Sequence, residues 1–170
     1  MAHDFAKEIG ADGLLAAASV LSRPAEEFVN DSTIEELWAM KAFEHAEIYF
    51  NLLCSVEPKI LKLTKADDVI YKEFREQFPS LTVSVLDEIQ LKSTESKDRW
   101  RPFCETFKDT VEDYNYGTLL RLDSSKDYSE ANSIIVPRVQ FLAIEGARNR
   151  EGFNDSIRSN FKPRQRKAQT

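Results

Sequence analysis

Apolar residues recur at helical spacing along most of this chain, and between Pro137 and Gly152 they occupy two faces of one predicted helix. Proline suits the first turn of a helix, where no amide donor is needed. Helical spacing then gathers Val139, Leu142, Ala143, Gly146 and Phe153 on one side. Phe141 and Ile144 fall on the other, beside Glu145, Arg148 and Glu151. Such a helix either sits inside a bundle or offers a second face to a partner, and the pattern leaves both open.

Upstream, the pattern predicts a helix from Asp12 to Leu21, broken by Pro24. Ser32 and Glu35 form a capping box that starts a second helix, which continues to about Val56 and stops before Pro58. A shorter helix follows Thr64, whose spacing to Asp67 fits a cap; Val69, Ile70, Phe74 and Phe78 supply its apolar side, and Pro79 ends it. Leu81 to Leu86 alternates and reads as extended. Another helix is predicted between about Ser96 and Asp113, with Pro102 as a kink or as its true first turn. Asn115-Tyr116-Gly117-Thr118 is turn chemistry, with Gly117 free to take a positive φ. Thr118 to Asp123 reads as a short strand or extended link, and a polar loop from Ser124 to Glu130 leads into the Pro137 helix. These elements predict an all-α fold: a single-domain helical bundle of five or six helices with one or two short extended segments. The expected organisation is a disordered start over residues 1–10, a helical domain over 11–157 and a basic disordered tail over 158–170.

Composition fits that reading. The chain has 170 residues, 42% hydrophobic and 31% charged. A chain of this length buries roughly 70% of its unfolded surface without staples. Cys54 and Cys104 match no metal or redox spacing and read as buried, reduced thiols. No signal segment or membrane-length apolar run is visible, which places the chain in the cytosol, with a nuclear fraction left open. The net charge of −6 is uneven: five of the 23 basic residues lie from Arg158 onward, leaving 18 against 29 acidic ones elsewhere. An acidic body disfavours a broad phosphate-binding surface, so no DNA partner is expected. The basic tail is either a solvated end or a contact for RNA, a ribosome or an acidic protein.

Candidate chemistry is sparse. His45 either packs into the bundle or forms a polar notch with Lys41 that receives a partner's carboxylate or backbone. His45 and Glu47 cannot share one ion, because residues two apart diverge by about 200° on a helix. Cys54, nine residues from His45, falls on the opposite side of the same helix. No glycine belongs to a phosphate-cradling loop. The doublets Asp67-Asp68 and Glu112-Asp113 read as surface charge. Trp100-Arg101-Pro102-Phe103 and Arg148-Asn149-Arg150 have interface composition, although Arg148 also stands three residues from both Glu145 and Glu151. No catalytic residue, metal or cofactor is expected, and the chain is expected not to be an enzyme.

Several longer strings carry a resemblance. Trp38-Ala39-Met40-Lys41-Ala42 with His45-Ala46-Glu47 and Tyr49, Leu61 to Lys65, Trp100 to Cys104, Val111 to Asp113, Asn115 to Asp123, and Ala147 to Gly152 together resemble the polysaccharide biosynthesis domain-containing protein family. The likeness runs from about Leu14 to Phe153. It implies a small helical domain acting as a non-enzymatic, ATP-independent chaperone of newly made translation elongation factor 1-alpha. The GTP-binding domain of that factor would be engaged, and released once GTP is bound. Longer relatives carry a long, charged, repetitive C-terminal extension, where this chain has a short basic tail. The alternatives are an enzyme of polysaccharide or nucleotide-sugar metabolism, as the family name suggests, and an RNA- or ribosome-associated binding module. Ribosome or nascent-chain factors are further expected partners, and the chain itself is expected to be a monomer. By residue type and position, Lys41, His45, Arg101, Arg121, Arg138, Arg148 and Arg150 are the expected polar contacts with the client, and Trp100 and Tyr116 its apolar anchors.

Overall fold

A computed structural model describes residues 32–164. The predicted Asp12–Leu21 helix, the N-terminal segment and the last six residues of the basic tail lie outside them. The chain divides into two compact units between Ile48 and Tyr49. In chain order the elements are α1 (Ser32–Ser55), a 3-10 turn (Pro58–Ile60), α2 (Asp67–Gln77), α3 (Glu88–Leu91), α4 (Thr94–Thr106), β1 (Gly117–Arg121), β2 (Ser133–Pro137), α5 (Arg138–Glu151) and α6 (Ile157–Asn160).

The strands correct the all-α expectation. β1 and β2 pair antiparallel, with Gly117 opposite Pro137, Leu119 opposite Ile135 and Arg121 opposite Ser133. The protein is therefore a mixed α and β fold, not an all-α bundle. The run Ile134-Ile135-Val136 is β-branched, which suits a pleated surface. Alternation sends Leu120, Ile134 and Val136 into the core and leaves Ile135 outside. Pro137, read from sequence as a first-turn residue, is the last residue of β2 and the N-cap of α5. Its missing amide falls at the sheet's end, where no ladder donor is lost. The alternating stretch before α3 joins the sheet at one bridge only, Val85 to Asp123. The Ser124 amide donates to the Ser84 carbonyl at 2.9 Å, and the Leu86 amide to the Leu122 carbonyl at 2.9 Å.

Local chemistry sets the helix ends. α1, described from Ser32 onward, stops at Ser55, ahead of Pro58. At α2 the direction of the predicted cap reverses. The Asp67 carboxylate reaches back to accept the Leu63 amide at 2.7 Å and the Thr64 amide at 3.0 Å. α4 begins with Ser93, whose hydroxyl accepts the Ser96 amide, and it ends seven residues short of Asp113. Pro102 lies inside it on the exposed side. The left-handed turn after α4 is at Asp113, with φ 53°, rather than at Gly117, which is already strand. α5 ends on Gly152, whose φ of 90° is a backbone state that glycine adopts without strain.

The core of the second unit answers the question left open by the Pro137 segment. α5 lies against α2, α4, both strands and the 3-10 turn. Phe141, Ile144 and Arg148 on one side are as buried as Val139, Leu142 and Ala143 on the other. Beside α5, Trp100 stacks on Phe78 at 4.3 Å between ring centroids and on Phe74 at 5.6 Å, and Phe103 meets it edge-on at 5.4 Å. Trp100 thus holds α4 to α2 and is 4% exposed, so it is no surface anchor. Trp100→Ala should lower unfolding stability by about 3–5 kcal/mol, read as a fall in the urea midpoint by circular dichroism. A loss under about 1 kcal/mol would show that the stack is not holding these helices together.

Candidate functional site

Arg121 ends β1, and it breaks the strand's alternation by turning inward directly after Leu120. Glu145 and Arg148 stand one helical turn apart on α5. All three side chains are fully enclosed. One Arg121 Nη donates to both Glu145 oxygens at 3.2 Å and to Asn154 Oδ1 at 2.7 Å. Arg148 donates to Glu145 Oε1 at 2.6 Å. The Tyr49 hydroxyl donates to Glu145 Oε2 at 2.5 Å, and Asn154 Nδ2 donates to the same oxygen at 3.0 Å. Asn149 closes the ring, accepting from Asn154 at 2.7 Å and donating to the Tyr49 oxygen at 3.3 Å.

Two guanidiniums around one carboxylate leave an enclosed positive charge. Backbone carbonyls take it up. Arg121 donates to the carbonyls of Ser124 at 2.7 Å and Lys126 at 3.1 Å. Arg148 donates to those of Val83 at 2.7 Å and Leu122 at 2.9 Å. The Arg121 guanidinium also faces the rings of Phe50 at 5.7 Å and Tyr128 at 5.9 Å. Among the described residues, Arg121 Nε keeps no hydrogen-bond partner.

The electrostatics follow from this geometry. Burial alone would raise the Glu145 pKa, but Arg121 and then Arg148 outweigh it and bring it down to about 2. Tyr49 is pushed well up, by burial first and by the Glu145 charge second, so it stays a donor. The cluster is a buried ionic clamp that ties α1, the 81–86 strip, β1, the 122–126 loop, α5 and the turn after it. Both cysteines are buried and unpaired, and burial pushes the Cys104 thiol up to about 11. Among the described residues, no group of three His, Cys, Asp or Glu could hold a metal ion.

The expected contact residues separate into enclosed and outward-facing sets. Arg121 and Arg148 meet at Glu145, and with Trp100 they are enclosed rather than presented to a partner. Arg148 takes its intrahelical carboxylate, one of the two readings its spacing allowed. Lys41 and His45 are exposed on α1 in the first unit, so His45 is not the packed histidine of the other reading. Arg101 is exposed on α4, and Tyr116 is partly exposed before β1. Arg138 is half-buried, with its Nε enclosed and unpartnered among the described residues. Arg150 is outward, pairs with Asp68 and covers the Tyr71 ring at 4.9 Å. The sequence reading did not single out Tyr49, Glu145, Asn149 and Asn154 as one group. The available signal was Arg121 itself, a lone charge within the apolar run Leu119 to Leu122.

The fold and its enclosed clamp define a mixed α and β module built around one central helix. The family model described as "PBDC1 protein" matches residues 34–159, and the chain belongs to that family. This bears out the resemblance read from the sequence. The mouse protein named "Protein PBDC1" is 57% identical over 143 residues, covering 84% of this chain and 72% of its own length. The human protein of that name is 56% identical over 144 residues, 85% of this chain and 62% of the human one. A "Protein PBDC1 homolog" of Saccharomyces cerevisiae is 46% identical over 137 residues. A solution NMR structure of a Saccharomyces cerevisiae protein superposes with a TM-score of 0.73 at 44% identity, covering 81% of this chain and 97% of that one.

Removing the clamp's only carboxylate should be costly. Glu145→Gln leaves two enclosed guanidiniums facing each other and should destabilise the fold by about 3–5 kcal/mol in urea melts. Acid provides an independent check. The Glu145 pKa lies below its ordinary value of 4.5, so its contribution is complete above that pH and fades as pH falls toward about 2. Unfolding free energy measured from neutral pH to pH about 2 should therefore fall less steeply in Glu145→Gln than in the parent. Parallel profiles would remove Glu145 as the acid-sensitive group.

Proposed function

We propose that this domain is a non-enzymatic chaperone of newly made translation elongation factor 1-alpha, engaging its GTP-binding domain and letting go once GTP is bound. The family resemblance suggests the client. The observation that supports a binding role is that the clamp's carboxylate and most of its guanidinium donors are already taken. The enclosed ionisable groups are spent on one another and on backbone carbonyls, so contact with another molecule falls to outward side chains. Lys41, His45, Arg101, Tyr116 and Arg150 remain as contacts, while Arg121, Arg148 and Trp100 hold the scaffold beneath.

The energetics require no ATP hydrolysis by the chaperone. A chaperone that binds the unready client more tightly than the GTP-bound one is displaced by the client's own nucleotide. Each tenfold difference in affinity between the two client states corresponds to about 1.4 kcal/mol. Purified domain immobilised on beads should retain the GTP-binding domain of the elongation factor. Excess GTP should lower that retention at least about tenfold. Equal retention with and without GTP would overturn the release mechanism, and no retention in either condition would overturn the client.

A further inference from the structure

We propose that a groove between residues 58–65, the first turn of α2 and one side of α5 is a docking site for an acidic, apolar peptide segment of a protein partner. The groove encloses about 970 Å³, within the usual range of ligand clefts. Ile60, Leu61, Leu63 and Leu142 supply its apolar lining, and Ile60 is 68% exposed. Three lysines stand around these groups, Lys59, Lys62 and Lys65, with Arg150 beside them paired to Asp68.

The charge here runs against the rest of the chain. Net charge is −6, yet no acidic residue occurs from Pro58 to Ala66. The three lysines are exposed and make no ion pair among the described residues. The two lining carboxylates are committed: Asp67 to the Leu63 and Thr64 amides, Asp68 to Arg150. A positive groove with apolar groups among its charges, on an acidic protein, attracts carboxylates and then buries the aliphatic groups between them. The apolar part of the lining favours a peptide over a phosphate backbone, which offers little for Ile60, Leu61 and Leu63 to cover.

Gly146 gives the second argument. It lies on the groove side of α5, in the interior of a helix, where glycine is less favourable than alanine. A Cβ built there meets nothing within 4 Å. Among the described residues no side chain takes the space, and its φ lies outside the left-handed range that would demand glycine. Open space beside Gly146 on the α5 wall of the groove fits close approach by a partner's backbone. Next to it, Asn149 is buried and bonded to Tyr49 and Asn154, which gives the groove a fixed floor.

This inference rests on the domain acting by binding a protein, and not on which protein it binds. The test titrates the full chain into short fluorescein-labelled peptides and follows anisotropy. One set alternates glutamate or aspartate with leucine or phenylalanine; a second keeps the apolar positions and replaces the acids with lysine; a single-stranded RNA forms a third arm. The acidic set should bind, and should weaken as salt rises from about 50 to about 200 mM. Gly146→Trp and the double variant Lys62→Glu with Lys65→Glu should each weaken it at least about tenfold. Gly146→Ala should melt higher than the parent and bind more weakly than it, because its Cβ takes space that the partner's backbone would use. The lysine pair is exposed, so it decides the matter if Gly146→Trp does not fold. Equal binding of acidic and basic peptides, loss below about twofold in the blocked variants, or preference for RNA would each overturn the groove. Because these peptides contain no elongation factor sequence, peptide binding without client retention removes the client and keeps the groove. The reverse result removes the groove alone.

Discussion

The second unit of this fold depends on one carboxylate shared by two guanidiniums. Glu145 accepts from Arg121, Arg148, Tyr49 and Asn154, and each of these donors comes from a different place in the chain or is bonded to one. Its removal would do more than delete a pair. The guanidiniums also carry the carbonyls of Val83, Leu122, Ser124 and Lys126, so the strip before α3 and the loop after β1 are positioned through the same charge. Segments without regular hydrogen bonding normally sit at the surface, since buried backbone needs partners. Here arginine supplies those partners, and that lets irregular segments lie against the core.

The clamp explains why α5 has apolar groups on two sides. A central helix meets packing all round, and the charged turn from Glu145 to Arg148 would be intolerable there unless neutralised. Three enclosed charges carry a desolvation cost that hydrophobic replacements would avoid. What the arrangement supplies in return is direction. A guanidinium presents five donors in a fixed plane, so each arginine dictates where several carbonyls must lie.

Those features legible in the sequence are the ones decided locally. Pro58 stands just past the end of α1 at Ser55, because a proline acts within a turn. The stripe Ile70, Phe74, Phe78 is set by helical period, and these three are buried as expected. Val69, at the edge of the same stripe, is left 57% exposed, since period alone does not fix how wide the covered face is. The β1–β2 pair was missed because its register joins residues 12 to 20 apart, and the Ser133–Val136 stretch ends at a proline that also suits a helix start. The clamp was hidden for a related reason. Arginines were assigned to a client by residue type, yet Arg121 finds its carboxylate 24 positions away, a relation no local spacing encodes.

Clamp and groove share α5, and this bears on how binding could proceed. Glu145 and Arg148 fix the helix from within, while Gly146 and Arg150 face the groove from the same two turns. Asn149 belongs to both, bonded inward and lining the groove outward. A surface already held by buried ionic bonds loses little conformational freedom when a ligand settles on it, so more of the contact energy appears as affinity. The opposite wall is held differently: residues 61–65 connect the 3-10 turn to α2 without regular structure, tied by Asp67 at Leu63 and Thr64. One wall is therefore rigid through the core and the other is anchored at its end. The lysines on the anchored wall are free to adjust to where a partner's carboxylates lie, while the floor sets how deeply the partner can seat.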